Sequence, residues 1–271
     1  AGSRDPAFRG IATNFAELTE PTDFGAIQLR TQQSRYSFST EVYQQFGQLG
    51  DFMEVTGVAP VSYDPATGEW TVVRGIEATF DETDINAAQS NDQFIAYGDT
   101  VLGETGVDPV NGMNLLNPAA GNSLVELTYT SFIDYQVGDG TVDRYLLVFG
   151  FETEDVDVPT TGSASYTTTV VGVGASTGFD GDEFYTVDGT NAITVNFGAG
   201  SWSAALDLNG TNQNTGATRD LGTYTTDLGS ITGNKLNQAN LRDGADTDVG
   251  DMFAFFFGPQ AAEIGGGFDI Y

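Results

Sequence analysis

"FFFGPQAAEIGGGFDIY", residues 255–271, sets the question from which the fold can be read. Three aromatics run into Gly-Pro, a short small-residue turn carries one glutamate, and three glycines open an apolar tail. Strand interiors ordinarily avoid both Gly and Pro, so glycines inside a strand mark coiling or a close approach of another backbone. The expected structure is an aromatic strand ended by Gly258, with Pro259 at the first position of a helical turn, where its fixed φ and missing N–H are tolerated. Glu263 is expected to bond back to free N–H groups of that turn. Gly265–Gly267 are expected to let a last strand coil sharply beneath bulky neighbours and close a barrel.

The residues upstream repeat a simpler signal. In "AITVNFGAGSWSAALDL" (192–208), Ile193, Val195 and Phe197 share one face of a strand, and Trp202, Ala204, Leu206 and Leu208 share one face of the next. Strict alternation of this kind is the mark of a half-buried strand. Similar stretches lie at 163–173, 183–187, 221–228, 230–241, 251–258 and 263–271, which gives about eight strands at hairpin spacing. "VDGTN" (187–191) and "FGAGS" (197–201) read as tight turns. Eight short strands with one apolar face suit a small closed antiparallel barrel.

The first half is β-rich and less regular. "SYDPATGEWTV" (62–72) is a hairpin whose Asp64-Pro65 starts a turn and whose Gly68 supplies a positive φ. Segments 41–49 and 83–91 are candidates for a helical turn. The acidic, Pro- and Gly-interrupted "FETEDVDVPTTGSASYT" (151–167) reads as a connector. The expected organisation is therefore all-β: a β-rich domain over 1–158 followed by an eight-stranded antiparallel barrel over 159–271.

Composition excludes several functions. The 271 residues carry a net charge of −29, with a single lysine, no histidine and no cysteine. Phosphate binding needs clustered Lys or Arg, so nucleic acid is excluded as a partner. Thiolate catalysis, disulfides and His- or Cys-based metal sites are absent by composition, and no His-based triad can form. No apolar run approaches the ~20 residues of a membrane-spanning helix. No cofactor is expected. The chain opens "AGSRDPAFRG" without Met or a signal peptide and reads as a processed or trimmed polypeptide. Asp243, Asp246 and Asp248, in "RDGADTDVGDMF" (242–253), form a weak calcium candidate. They lack the EF-hand order and its final Glu, so a solvated acidic loop is preferred. The irregular stretch 98–122 offers Val101, Leu102, Met113, Leu115 and Leu116 as a candidate apolar partner-contact loop, the alternative being that they pack against their own sheet.

The closing stretch resembles the last hairpin of the transferrin-binding protein B-like β-barrel family. Its pattern of aromatic-Gly-Pro, Ala, Glu, Gly-Gly and Phe falls on Phe257, Gly258, Pro259, Ala262 (or Ala261), Glu263, Gly265, Gly266 and Phe268. "PTTGSASYTTTVVG" (159–172) is similar to that barrel's opening strand. The likeness covers residues 155–271, and the first half matches the family's handle domain by position and β-character alone. The resemblance implies a non-enzymatic Gram-negative binding protein, held on the outer leaflet of the outer membrane or released outside the cell. It would capture a nutrient, cofactor or carrier protein beside an outer-membrane transporter. Its motif residues are architectural and identify no ligand. A structural, adhesive or self-assembling surface protein, stabilised by calcium, is the alternative.

Overall fold

The computed structural model describes residues 18–38, 41–46, 53–54, 60–74, 76–99, 110–118, 121–139, 141–178 and 181–270. Among them there is no α-helix; two antiparallel sheets account for the fold. The first sheet contains β1 (Thr22–Phe38), β2 (Glu41–Phe46), β3 (Met53–Glu54), β4 (Val61–Asp64), β5 (Glu69–Arg74), β6 (Ile76–Phe80), β7 (Phe94–Asp99), β8 (Val110–Leu116), β9 (Thr130–Asp139) and β10 (Thr141–Gly150). Its main order is β6-β5-β4-β1-β10-β9-β8-β7, with β2 and β3 both paired to β1. The outer strands are brought back together: Ile85, just past β6, bridges Tyr97 of β7. The enclosed core holds Phe24, Trp70, Phe80, Met113, Ile133, Tyr135, Leu147 and Phe149.

The 62–72 hairpin forms as β4 and β5. Gly68 has φ 72°, and the Asp64 carboxylate accepts from the Ala66 N–H. Segment 41–46 is strand, not a helical turn, because it pairs along β1. A short 3-10 turn does form at Glu82–Asp84, capped by the Asp81 side chain.

The second sheet contains β11 (Ser163–Gly178), β12 (Gly181–Asn196), β13 (Ser201–Asn212), β14 (Thr218–Thr226), β15 (Gly229–Thr232), β16 (Lys235–Arg242), β17 (Asp248–Phe257) and β18 (Glu263–Ile270). The strand total matches the expectation, but two assignments change. Residues 187–191 are not a turn. They run mid-strand in β12, and Gly189 is there because a Cβ would strike the Asp207 backbone of β13. Residues 230–241 are not one strand; a turn at Gly233-Asn234 divides β15 from β16.

Inward residues of every part of this sheet share one core, from Val170 and Ile193 through Trp202 and Leu241 to Met252 and Ile264. The sheet is therefore wrapped into a barrel. It is not sealed by hydrogen bonds: among the described residues the strand path begins at β11 and ends at β18 without pairing the two. The Tyr166 hydroxyl instead donates to the Ala261 carbonyl at 2.7 Å and ties the seam at one end.

Candidate functional site

The two sheets meet on the closing hairpin, and its composition follows from that contact. Phe255, Phe256 and Phe257 are all buried, though successive strand residues face opposite ways. Phe256 belongs to the barrel core. Phe255 and Phe257 face outward and pack with Tyr129, Val148 and Phe253 between the sheets. The aromatic run thus fills two faces.

The glycines serve the same contact. A Cβ on Gly265 would lie 2.5 Å from the Val148 side chain and 3.1 Å from that of Thr130. Gly258, at φ 73°, sits against the Tyr129 ring with no room for a Cβ. The turn after it is left-handed, with Gln260 at φ 55° and Ala261 at φ 58°, so Pro259 does not begin a helical turn. Glu263 also departs from expectation. Its carboxylate accepts the N–H groups of Thr128 (2.6 Å), Tyr129 (3.0 Å) and Thr130 (2.9 Å), all on the other sheet's side of the contact. The connector is fastened here as well: Thr153 donates through its N–H to the Phe256 carbonyl and through its hydroxyl to the Gly258 carbonyl.

Beside this contact lies a cavity of about 760 Å³. Its inner wall is barrel core, including Val170, Val187, Ile193, Leu208, Met252 and Ile264. It passes along the unpaired edges of β11 and β18 to an outer wall made by Leu116, Phe132, Val148 and the segment carrying Leu124, Val125 and Leu127. That segment is held to β11 by the Thr169 hydroxyl, which donates to the Leu124 carbonyl at 3.3 Å. Burial raises the Tyr166 hydroxyl above its ordinary pKa, so it stays a neutral donor. Two lining atoms, Asn191 Oδ1 and Thr130 Oγ1, are buried without a hydrogen-bond partner. Asn191 escaped sequence reasoning because 187–191 read as a turn. The available signal was its parity with Ile193 and Val195, which puts a polar side chain on the apolar face.

The earlier candidates are placed differently. Met113 and Leu115 are fully buried in the first core, because alternate residues of β8 point into it. They cannot present a contact patch. Leu116 lines the outer part of the cavity. Val101 and Leu102 lie outside the described residues. Asp243 caps its own loop, its carboxylate accepting from the Ala245 and Thr247 N–H groups at 2.9 and 2.8 Å. These bonds hold it below the usual carboxylate range. Asp248 accepts from Asn240, and Asp246 supplies the left-handed residue of the loop at φ 62°. Among the described residues, no three carboxylates converge as a metal site would require.

Residues 158–271 match the family model described as the C-lobe and N-lobe beta barrels of Tf-binding protein B. No curated protein matches the chain significantly. Similar solved structures include a double mutant of the vaccine antigen Transferrin Binding Protein B from Haemophilus parasuis Hp5, at 17% identity and TM-score 0.44, covering 89% of this chain and 41% of that one. A single mutant of the same antigen aligns at 12% identity and TM-score 0.40, covering 92% and 74%. Intact Ap-TbpB, with N and C lobes, aligns at 12% and 0.37, covering 92% and 75%. The chain thus spans 41% of the first of these proteins.

Proposed function

We propose that this chain, whose residues 158–271 match the model of the transferrin-binding protein B beta barrels, is a non-enzymatic bacterial binding protein. In this reading it is displayed on the outer surface of the outer membrane, or released from it, and captures a nutrient or its carrier protein for uptake by a transporter. The family match carries the reading. Composition supports it, since a net charge of −29 with neither His nor Cys disfavours nucleic acid and removes the commonest catalytic nucleophile–base pairs. The fold supports it too, because a barrel core leaves its connecting loops free to vary.

We propose residues 101–109, which lie outside the described residues, as the partner-contact segment. Deleting residues 104–118 from the irregular stretch 98–122 would remove β8 and its buried Met113 and Leu115. The suitable change replaces only residues 101–109 with a short Gly-Ser link. Transferrin is the first partner to test, because the matching family model is that of Tf-binding protein B barrels. The intact chain should retain an iron carrier or another nutrient-bearing protein from host fluid in a surface-plasmon measurement, and the loop replacement should lose at least tenfold in affinity while unfolding at the same temperature. Protease treatment of whole cells of the source bacterium should remove the protein. Protection from protease, or absence of capture across host fluids, would overturn the proposal.

A further inference from the structure

We propose that the cavity along the β11–β18 seam is a binding site for an uncharged, largely apolar small molecule carrying a hydrogen-bond donor. Four observations carry this. First, about 760 Å³ falls within the range of small-molecule pockets, roughly 300–1,000 Å³. Small barrels ordinarily fill their interiors with side chains. Here β11 offers Gly172 and Gly174 along the cavity, and a Cβ on Gly172 would meet nothing nearer than Val187 at 3.8 Å. The sequence leaves unfilled a space in which a larger residue would fit.

Second, the inner wall is apolar, from Val170, Val187 and Ile193 to Leu208, Met252 and Ile264. Third, that wall carries one buried polar side chain with an unpartnered acceptor. Asn191 is 4% exposed, and its Nδ2 donates to the Met252 sulfur at 3.7 Å. A thioether only accepts, so the amide nitrogen must face it, leaving Oδ1 as an acceptor without a partner. Buried polar groups are nearly always satisfied, and an unsatisfied acceptor in a cavity calls for a hydroxyl or N–H from whatever occupies it. Thr130 Oγ1 is a second such atom toward the outer wall. Fourth, the charged lining residues are spoken for or lie at the rim. Glu263 accepts three backbone N–H groups, Arg219 and Asp220 are exposed, and Asp269 is partly exposed near the end of β18. An ion would enter an apolar space without a counter-charge, which is strongly unfavourable.

This site stands apart from capture of a protein partner, and either proposal can fail alone. The test uses the full chain and the neutral fluorescent amine N-phenyl-naphthylamine, displaced by decanol or by decyl methyl ether. The amine should bind saturably at one site. Decanol should displace it about fivefold better than the ether, the effect of one neutral hydrogen bond. Asn191→Leu, nearly isosteric, should erase that preference while leaving ether displacement unchanged. Gly172→Phe should fill the space and weaken probe binding at least tenfold, with unfolding checked by circular dichroism; should it fail to fold, Asn191→Leu decides alone. Absence of saturable binding, an alcohol preference that survives Asn191→Leu, or undiminished binding by folded Gly172→Phe overturns the proposal.

Discussion

Two hairpins of the same barrel obey opposite sequence rules. In β12–β13, buried and exposed residues alternate: Ile193, Val195, Trp202, Ala204 and Leu206 face the core, while Thr194 and Ala205 face water. In β17–β18, alternation is lost. Phe255, Phe256 and Phe257 are all buried, and opposite them run Gly265 and Ile264. The difference is the number of covered faces. A strand with one wet face writes its orientation into polarity, whereas a strand covered on both faces must specify fit through volume. Aromatics fill one position there and glycines vacate the next.

The largest break in this comparison comes from cutting the cover away. We propose that 1–158 and 159–271 are the two domains, with the closing hairpin as their contact. Residues 159–271 made alone should keep their β-sheet circular dichroism but self-associate through Phe255 and Phe257, measured by sedimentation. A monomeric fragment as stable as the parent barrel would show that the contact contributes nothing.

Gly258→Ala comes next. It places a Cβ at φ 73° against the Tyr129 ring. Left-handed backbone strain and overpacking each contribute about 1–3 kcal/mol, so a loss of about 4 kcal/mol is expected in urea unfolding. Glu263→Gln should follow at about 2 kcal/mol, because a neutral amide oxygen replaces a carboxylate that accepts three N–H groups. Hydrogen exchange at Thr128, Tyr129 and Thr130 should quicken in that variant and not at β12–β13.

The same contrast governs what could be read from sequence. The barrel, most of its strands and the central hairpin were legible because alternation reports a single buried face; the passage through 187–191 and the break at Gly233-Asn234 were not. The motif was legible as a closing hairpin, yet the jobs of Gly265 and Glu263 were not. Their partners, Val148 and Thr128–Thr130, lie more than a hundred residues earlier, and nothing local to either segment encodes that pairing. The open seam was hidden for a related reason: eight suitable strands do not state whether the first and last pair. Met113 and Leu115 looked available for a partner because their loop neighbours are irregular, although β8 itself is core.

Tyr166→Phe probes the seam with a smaller effect. Losing the bond to Ala261 should cost about 1 kcal/mol near neutral pH. The folded-state pKa of Tyr166 is raised above 10.0 by burial. Its contribution is therefore full below pH 10 and declines as pH rises through the folded value, where ionisation removes the donor. The gap between parent and variant should narrow in alkaline urea titrations; a gap independent of pH up to the alkaline limit of folding would show that the hydroxyl does not matter.

The smallest expected effect lies on the wet face of β12–β13, and it is the control that gives the others meaning. Thr194 and Ala205 are exposed, and neither lies at the sheet–sheet contact. Adding bulk and charge there, as in Ala205→Lys, extends into solvent, and surface substitutions of this kind stay within about 0.5 kcal/mol. Beside Gly258→Ala the comparison is severe: three added methylenes and an ammonium on one hairpin should matter less than one methyl on the other. If Ala205→Lys destabilises by more than about 1.5 kcal/mol in the same urea assay, that face is covered too, and the division into one-faced and two-faced hairpins collapses.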